Sequence, residues 1–201
     1  TPQMLNSISG RIARFWQQQV TSTWKSLFGR SRKRTGAAQR VLSHGNALED
    51  RTLLAAIVVN SLADNTTGGD GLTTLREAIL AANATSGADT ISFAPGLNGT
   101  INLSLGQMTL TDSVRITGNG ASNTIIDAQN LSRILNITAG DVAIESLTLT
   151  RGKTTANNQG GGAIRSTSAG TLSIEQSQIT ASSTTGSDSD GGAILSYFGP
   201  V

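Results

Sequence analysis

Apolar and polar residues alternate through much of the second half of the chain. Val142, Ile144, Leu147 and Leu149, and again Leu172, Ile174 and Ile179, are separated mostly by Ser, Thr, Glu or Gln. That is the two-residue period of a strand with one buried face. Between these strands, residues 153–162 and 182–192 are rich in Gly, Asn, Ser and Asp, which supply turns and positive φ at little steric cost and so predict corners. The pattern also repeats. Shifted by 30 residues, 142–171 lies over 172–201 without a gap: Ile144 meets Ile174, Glu145 meets Glu175, Thr150 meets Thr180, and Gly161-Gly162-Ala163-Ile164 meets Gly191-Gly192-Ala193-Ile194. Further back, Val114-Arg115-Ile116-Thr117 precedes Val142 by 28 residues, with short strands expected at 124–127 and 134–137. Self-similarity at this period marks a solenoid, and coils of about 30 residues carrying two or three short strands mark a parallel β-helix. The 3.6-residue period of helical repeats is absent. About four coils fit between residue 91 and residue 201.

The pattern changes nearer the N-terminus. A strand is expected at 57–60, a polar turn-rich loop at 64–71, and a strand again at 90–93. Between the last two, Thr74 and Glu77 have capping-box spacing, and Leu75, Ala78, Ile79 and Ala82 form one apolar face, so a helix is expected over 74–83. A solenoid leaves the interior and strand edges of its first coil open unless something covers them, and this helix is read as that cap. Residues 4–28 carry a second helical pattern: Leu5, Ile8, Ile12, Phe15-Trp16, Val20, Trp24 and Leu27-Phe28 recur every three or four positions. The expected organisation is a basic, partly helical leader over 1–52, an N-terminal cap over 53–93 and β-helix coils over 94–201. The chain stops within a coil, which leads to the expectation of a larger protein of which this is the N-terminal part.

Charge divides the chain in the same way. The net charge of +2 combines a leader with nine Lys or Arg against two acids, and a remainder with six basic and eleven acidic residues. The mildly acidic repeat region argues against nucleic acid, which needs a basic stripe on the binding face. The leader fits a helix lying on a membrane surface or read by export machinery, with Arg11, Arg14 and Lys25 toward lipid phosphates, or equally a solvated extension. The basic run at 30–34 is a nuclear-localisation or nucleic-acid patch on one reading and a solvated run on the other. With no Cys, there is no disulfide framework or thiolate metal site.

Two stretches resemble known families. Leu48-Glu49-Asp50-Arg51-Thr52-Leu53-Leu54 is similar to the Leu-Glu-Pro/Asp-Arg-x-Leu-Leu motif near the N-termini of large exported bacterial proteins, with Asp50 where Pro is commoner. A basic segment followed by the apolar run 53–59 has the order of a secretory signal, and export is the expectation; the run is also read as the first strand of the fold. Thr73-Thr74-Leu75-Arg76-Glu77-Ala78-Ile79 resembles Cys-Ser-Leu-Arg-Glu-Ala-Ile, departing at its first two positions. With GADTISFAPGLNGTI downstream and the Gly-Gly-Ala-Ile repeats, which also resemble those of polymorphic outer-membrane proteins, residues 57–192 resemble the CSLREAI-type, pectate-lyase-like right-handed β-helix proteins of bacteria. The resemblance implies an all-β fold, a right-handed single-stranded parallel β-helix with an N-terminal capping α-helix, in a cell-surface, outer-membrane or extracellular setting. It implies no reaction, because the scaffold hosts lyases, hydrolases, adhesins and stalks.

Chemistry has to come from the residues themselves. A sugar-cleaving site on this scaffold wants clustered carboxylates, an Arg or Lys base and aromatic rings. Glu145 and Glu175 occupy one position of successive coils and should stack about 4.8 Å apart, as a weak acid/base or cation candidate or as two solvated groups on an outer face. Asp188 and Asp190 resemble half of a calcium turn, but Asn158 and Gly160, their counterparts one coil earlier, lack carboxylates. Arg115, Arg133, Arg151 and Arg165 are read as outward, solubilising groups. No residue from 94 to 196 is aromatic or His, and the single His44 lies in the leader. The reading is a monomeric, non-catalytic structural or adhesive surface module without a cofactor, whose partners are polysaccharide or cell-surface components. The alternative is a pectate-lyase-like carbohydrate-active enzyme, a polysaccharide lyase or glycoside hydrolase, with its site in missing or later coils or in the Glu145/Glu175 region.

Overall fold

In the computed structural model, the described residues are 54–198; the basic leader, the amphipathic helix expected over 4–28 and the start of the export-like motif lie outside them. A short strand, β1 (Ala56–Val59), is followed by a polar loop and then by helix α1 (Leu75–Ala84). Three coils' worth of strands follow in order: β2 (Asp89–Phe93), β3 (Gly99–Asn102) and β4 (Met108–Leu110); β5 (Val114–Thr117), β6 (Thr124–Asp127) and β7 (Leu135–Ile137); β8 (Val142–Glu145), β9 (Thr148–Thr150), β10 (Lys153–Thr154) and β11 (Ile164–Ser166). The fourth coil is β12 (Leu172–Glu175), β13 (Gln178–Thr180), β14 (Ser183–Thr184) and β15 (Ile194–Ser196).

Every inter-strand pairing is parallel, and like strands of successive coils stack into three long sheets. Sheet A runs β1-β2-β5-β8-β12, sheet B runs β3-β6-β9-β13, and sheet C runs β4-β7-β11-β15. The fold is a parallel β-solenoid of about four turns. Between the last two coils every partner lies 30 residues on, as Val142 opposite Leu172, Thr148 opposite Gln178 and Ile164 opposite Ile194 show. The offset visible in the sequence is therefore the structural register. Residues 153–162 and 182–192, read as corners, also contain a small fourth sheet, β10 on β14.

The alternating residues do what their period predicts. Ile91, Ile116 and Ile144 stack inside sheet A, Ile101, Ile126 and Leu149 inside sheet B, and Met108, Leu135 and Ile164 inside sheet C, all buried. Burial of side chains of this size contributes about 1.5–3 kcal/mol each, and stacking like on like lets each coil bury its apolar edge against the next.

Helix α1 closes the N-terminal end. Thr74 is its N-cap: Glu77 N–H donates to the Thr74 hydroxyl, and the Glu77 carboxylate accepts from Thr74 N–H at 2.8 Å. Leu75, Ala78, Ile79 and Ala82 are buried against the first coil. The polar face secures the edge of that coil. Arg76 donates to the carbonyls of Gly106 and Gln107, and Asn83 donates to Thr109 O and accepts from Thr111 N. Asp64 ties the preceding loop to the same edge, accepting from Ser104 N and Leu105 N while pairing with Arg76 at 2.6 Å. These contacts satisfy backbone groups that a first coil would otherwise leave exposed.

Candidate functional site

The structure brings Glu145 and Glu175 side by side on the outer face of sheet A, in direct register. Their neighbours then decide what they can do. Arg115, one coil before Glu145, sits in register with Ala143, whose methyl leaves the guanidinium room to reach Glu145 and form an ion pair. Thr117 donates its hydroxyl to the other Glu145 oxygen at 3.3 Å. Glu175 accepts from the Ser173 hydroxyl at 3.0 Å. Glu145 is held by a guanidinium and a hydroxyl of the preceding coil and so joins the two coils, whereas Glu175 is held by a hydroxyl of its own strand. The Arg115 side chain is 55% exposed, so water screens the pair and its contribution is at most about 1 kcal/mol.

Beside this row, a shallow groove of about 360 Å³ runs along the corner between sheets C and A, with Ala143, Ser173, Asp89, Arg115, Asp141 and Leu54 among its walls. Its buried carboxylate is committed: Asp89 accepts from Ala55 N at 2.6 Å and from the Thr85 hydroxyl at 2.5 Å, fastening β1 and the end of α1 to β2. Asp141 accepts from Thr171 N at 2.7 Å and so links two coils.

Asp188 and Asp190 lie in the exposed corner of the last coil. Asp188 has φ 55° and stands where Asn158, with φ 58°, stands one coil earlier; both residue types tolerate the left-handed region. The Asp190 carbonyl accepts from Gly161 N. Among the described residues no group of three or more His, Cys, Asp or Glu is placed to hold a metal ion.

The arginines depart most from their sequence reading. Arg151 is partly outward, but it chelates Asp127 through Nε, at 2.8 and 2.9 Å to the two oxygens, and through Nη2. Burial pushes the Asp127 carboxyl up; the Arg151 hydrogen bonds and Gln129 N–H outweigh it and leave the group below the usual carboxylate range. Arg133, expected to point outward, is only 4% exposed. Its Nε donates to Gly161 O at 2.8 Å, its Nη2 to Gly160 O at 2.9 Å, and its Nη1 to Gln107 Oε1 at 2.9 Å. One side chain therefore links three coils. The inversion follows from Gly160, where a Cβ would run into the Asp190 carbonyl and the Leu195 side chain; with no side chain there, the corner closes and turns its carbonyls on the guanidinium. Burial, then repulsion from Arg165, holds Arg133 below the ordinary guanidinium value. Nothing in the local pattern around Arg133 signals this, because the acceptors come from other coils.

No protein-family model, curated protein or solved structure matches the chain. What the chain can do is therefore argued from its own geometry.

Proposed function

We propose that the chain is an exported, cell-surface β-helix module of the CSLREAI type, which holds a polysaccharide or another surface against its outer faces without catalysing a reaction. The observation that carries this reading is the register. It sets polar side chains in straight outward rows, such as Asn102, Thr150 and Thr180 on sheet B, with Asp127 of the same row already held by Arg151, at a spacing of about 4.8 Å per coil fixed by the ladder. A rigid array of hydrogen-bonding groups needs little ordering on binding and so retains more of its contact energy. The use of Glu145 for Arg115 and Thr117 of the preceding coil supports a scaffold role for that carboxylate. Export rests on the sequence motif at 48–54.

The full chain, incubated with a panel of polysaccharides, is expected to be retained on at least one of them while releasing no new reducing ends and no unsaturated products. The double variant Glu145→Gln, Glu175→Gln is expected to bind as the parent does. Turnover by the parent that disappears in this variant would overturn the proposal in favour of a lyase or hydrolase. An antibody to the repeat region should find the native protein in the surface or medium fraction of its source cells.

A further inference from the structure

Among the described residues there are five arginines, and four are engaged: Arg76 with Asp64, Arg115 with Glu145, Arg151 with Asp127, and Arg133 with carbonyls of the glycine corner. Arg165 is the exception. Its side chain makes no hydrogen bond and no ion pair, and its Nε is buried with no acceptor. Its Cζ lies 5.7 Å from the centroid of the Tyr197 ring. Arg165 lies on the outer face of sheet C, since its neighbours Ile164 and Ser166 are buried. In register with it one coil earlier is Asn136, whose Oδ1 is also buried and without a partner, and one coil earlier again is Thr109. Buried polar atoms without partners are uncommon; here two occur side by side on one sheet face.

Charge points the same way. Arg133 lies close enough for its charge and that of Arg165 to repel, and it is solvated by carbonyl and amide oxygens instead of a carboxylate. Sheets A and B pair their outward arginines with acids, whereas this part of sheet C keeps two positive charges uncompensated within a mildly acidic region. In the next coil Leu195 stands in register with Arg165, and just beyond that strand the Tyr197 ring is 52% exposed. A planar guanidinium fork matches an oxyanion with two acceptor oxygens, an amide serves hydroxyl groups on either side, and a phenol ring offers a flat apolar face with a polar tip.

We propose that the row Thr109–Asn136–Arg165, together with Tyr197, is a binding site for an acidic sugar of a glycan, with Arg165 receiving its carboxylate or sulfate and Tyr197 receiving the ring. The inference rests on the glycan-binding reading above and assigns it a face and a ligand class. Because the row runs along the solenoid axis, the glycan lies along sheet C with one sugar anchored at Arg165.

The test uses the full chain and three oligosaccharides: hyaluronate, which bears carboxylates alone, chondroitin sulfate, which adds sulfates, and neutral dextran. Binding to hyaluronate or chondroitin sulfate is expected, with the better of the two naming the anion. Arg165→Gln should weaken it about tenfold or more, as expected for loss of a charge-assisted pair, and Arg165→Lys by less. Arg115→Gln, which removes an equal charge from sheet A, should change it less than about twofold. In the parent, the Arg165 Nε–H resonance should shift on binding. Arg165→Gln breaks no hydrogen bond or ion pair and keeps the inner part of the stem, so it should fold and melt close to the parent. Equal weakening by the Arg115 and Arg165 variants would show diffuse charge attraction and overturn the site. Retention of dextran alone, or an unmoved Arg165 Nε–H signal in saturated protein, would overturn it and leave the glycan-binding reading standing. Retention on no glycan of any kind would take down both.

Discussion

Arg133 shows how one side chain can serve several coils. Its acceptors are the carbonyls of Gly160 and Gly161 and the amide oxygen of Gln107, 27, 28 and 26 residues away in sequence, and the two buried glycine carbonyls would be left without a donor if the guanidinium were removed. Arg133→Met keeps much of the stem volume and deletes the donors. Each orphaned buried acceptor costs about 1–3 kcal/mol, partly offset because an uncompensated buried charge is removed as well. The expected loss is about 3 kcal/mol in urea-induced unfolding. The local alternation around Ile134 and Leu135 gives no warning of this role. A reader of the sequence sees an arginine next to core residues, a position usually filled by an outward group. What turns it inward is a pair of glycines a coil later, and sequence proximity carries no information about that.

At the scale of the element, α1 and the loop before it were more legible. Thr74 and Glu77 have the spacing of a capping box, and the structure contains that box, with the helix ending one residue beyond the expected span. The apolar face was readable because a helix brings residues three and four apart together. Its polar face was not, because Arg76 and Asn83 look like ordinary surface residues until the edge of the first coil is in place. Asp64 is the centre of that contact, and its side chain is 2% exposed. Burial pushes its carboxyl up, but the Arg76 hydrogen bond and the amides of Leu105 and Ser104 prevail, and the group titrates below its ordinary value. A carboxyl with a lowered folded pKa stabilises the fold fully above the ordinary range, near pH 4, and that contribution fades as pH falls through the lower folded value. The difference in unfolding midpoint between the parent and Asp64→Asn should therefore be largest near neutrality and shrink below about pH 4. A difference that stays constant with pH would mean that the charge on Asp64 does not hold the cap. The strands β10 and β14 were hidden for another reason. Lys153-Thr154 and Ser183-Thr184 carry no apolar alternation, and they pair because β9 on β13 and β11 on β15 hold them at one register.

Across the whole described region, burial is graded along the axis. Ile144, Leu149 and Ile164 are buried in the third coil, whereas their register partners Ile174, Ile179 and Ile194 in the fourth are only partly so. Local opening follows the density of buried apolar contacts. Amide hydrogen exchange should accordingly be fastest at β12, β13 and β15, slower in β8, β9 and β11, and slowest where α1 covers β2 and β4. Uniform protection from end to end would show that the coils open only together. The constant 30-residue step between the third and fourth coils also bears on inheritance. Duplication or loss of a 30-codon unit in this part of the gene would keep every following residue on its own wall, inward or outward. Such events would alter reach by one rung at a time, about 4.8 Å, while the chemistry of each face passed unchanged from parent to descendant.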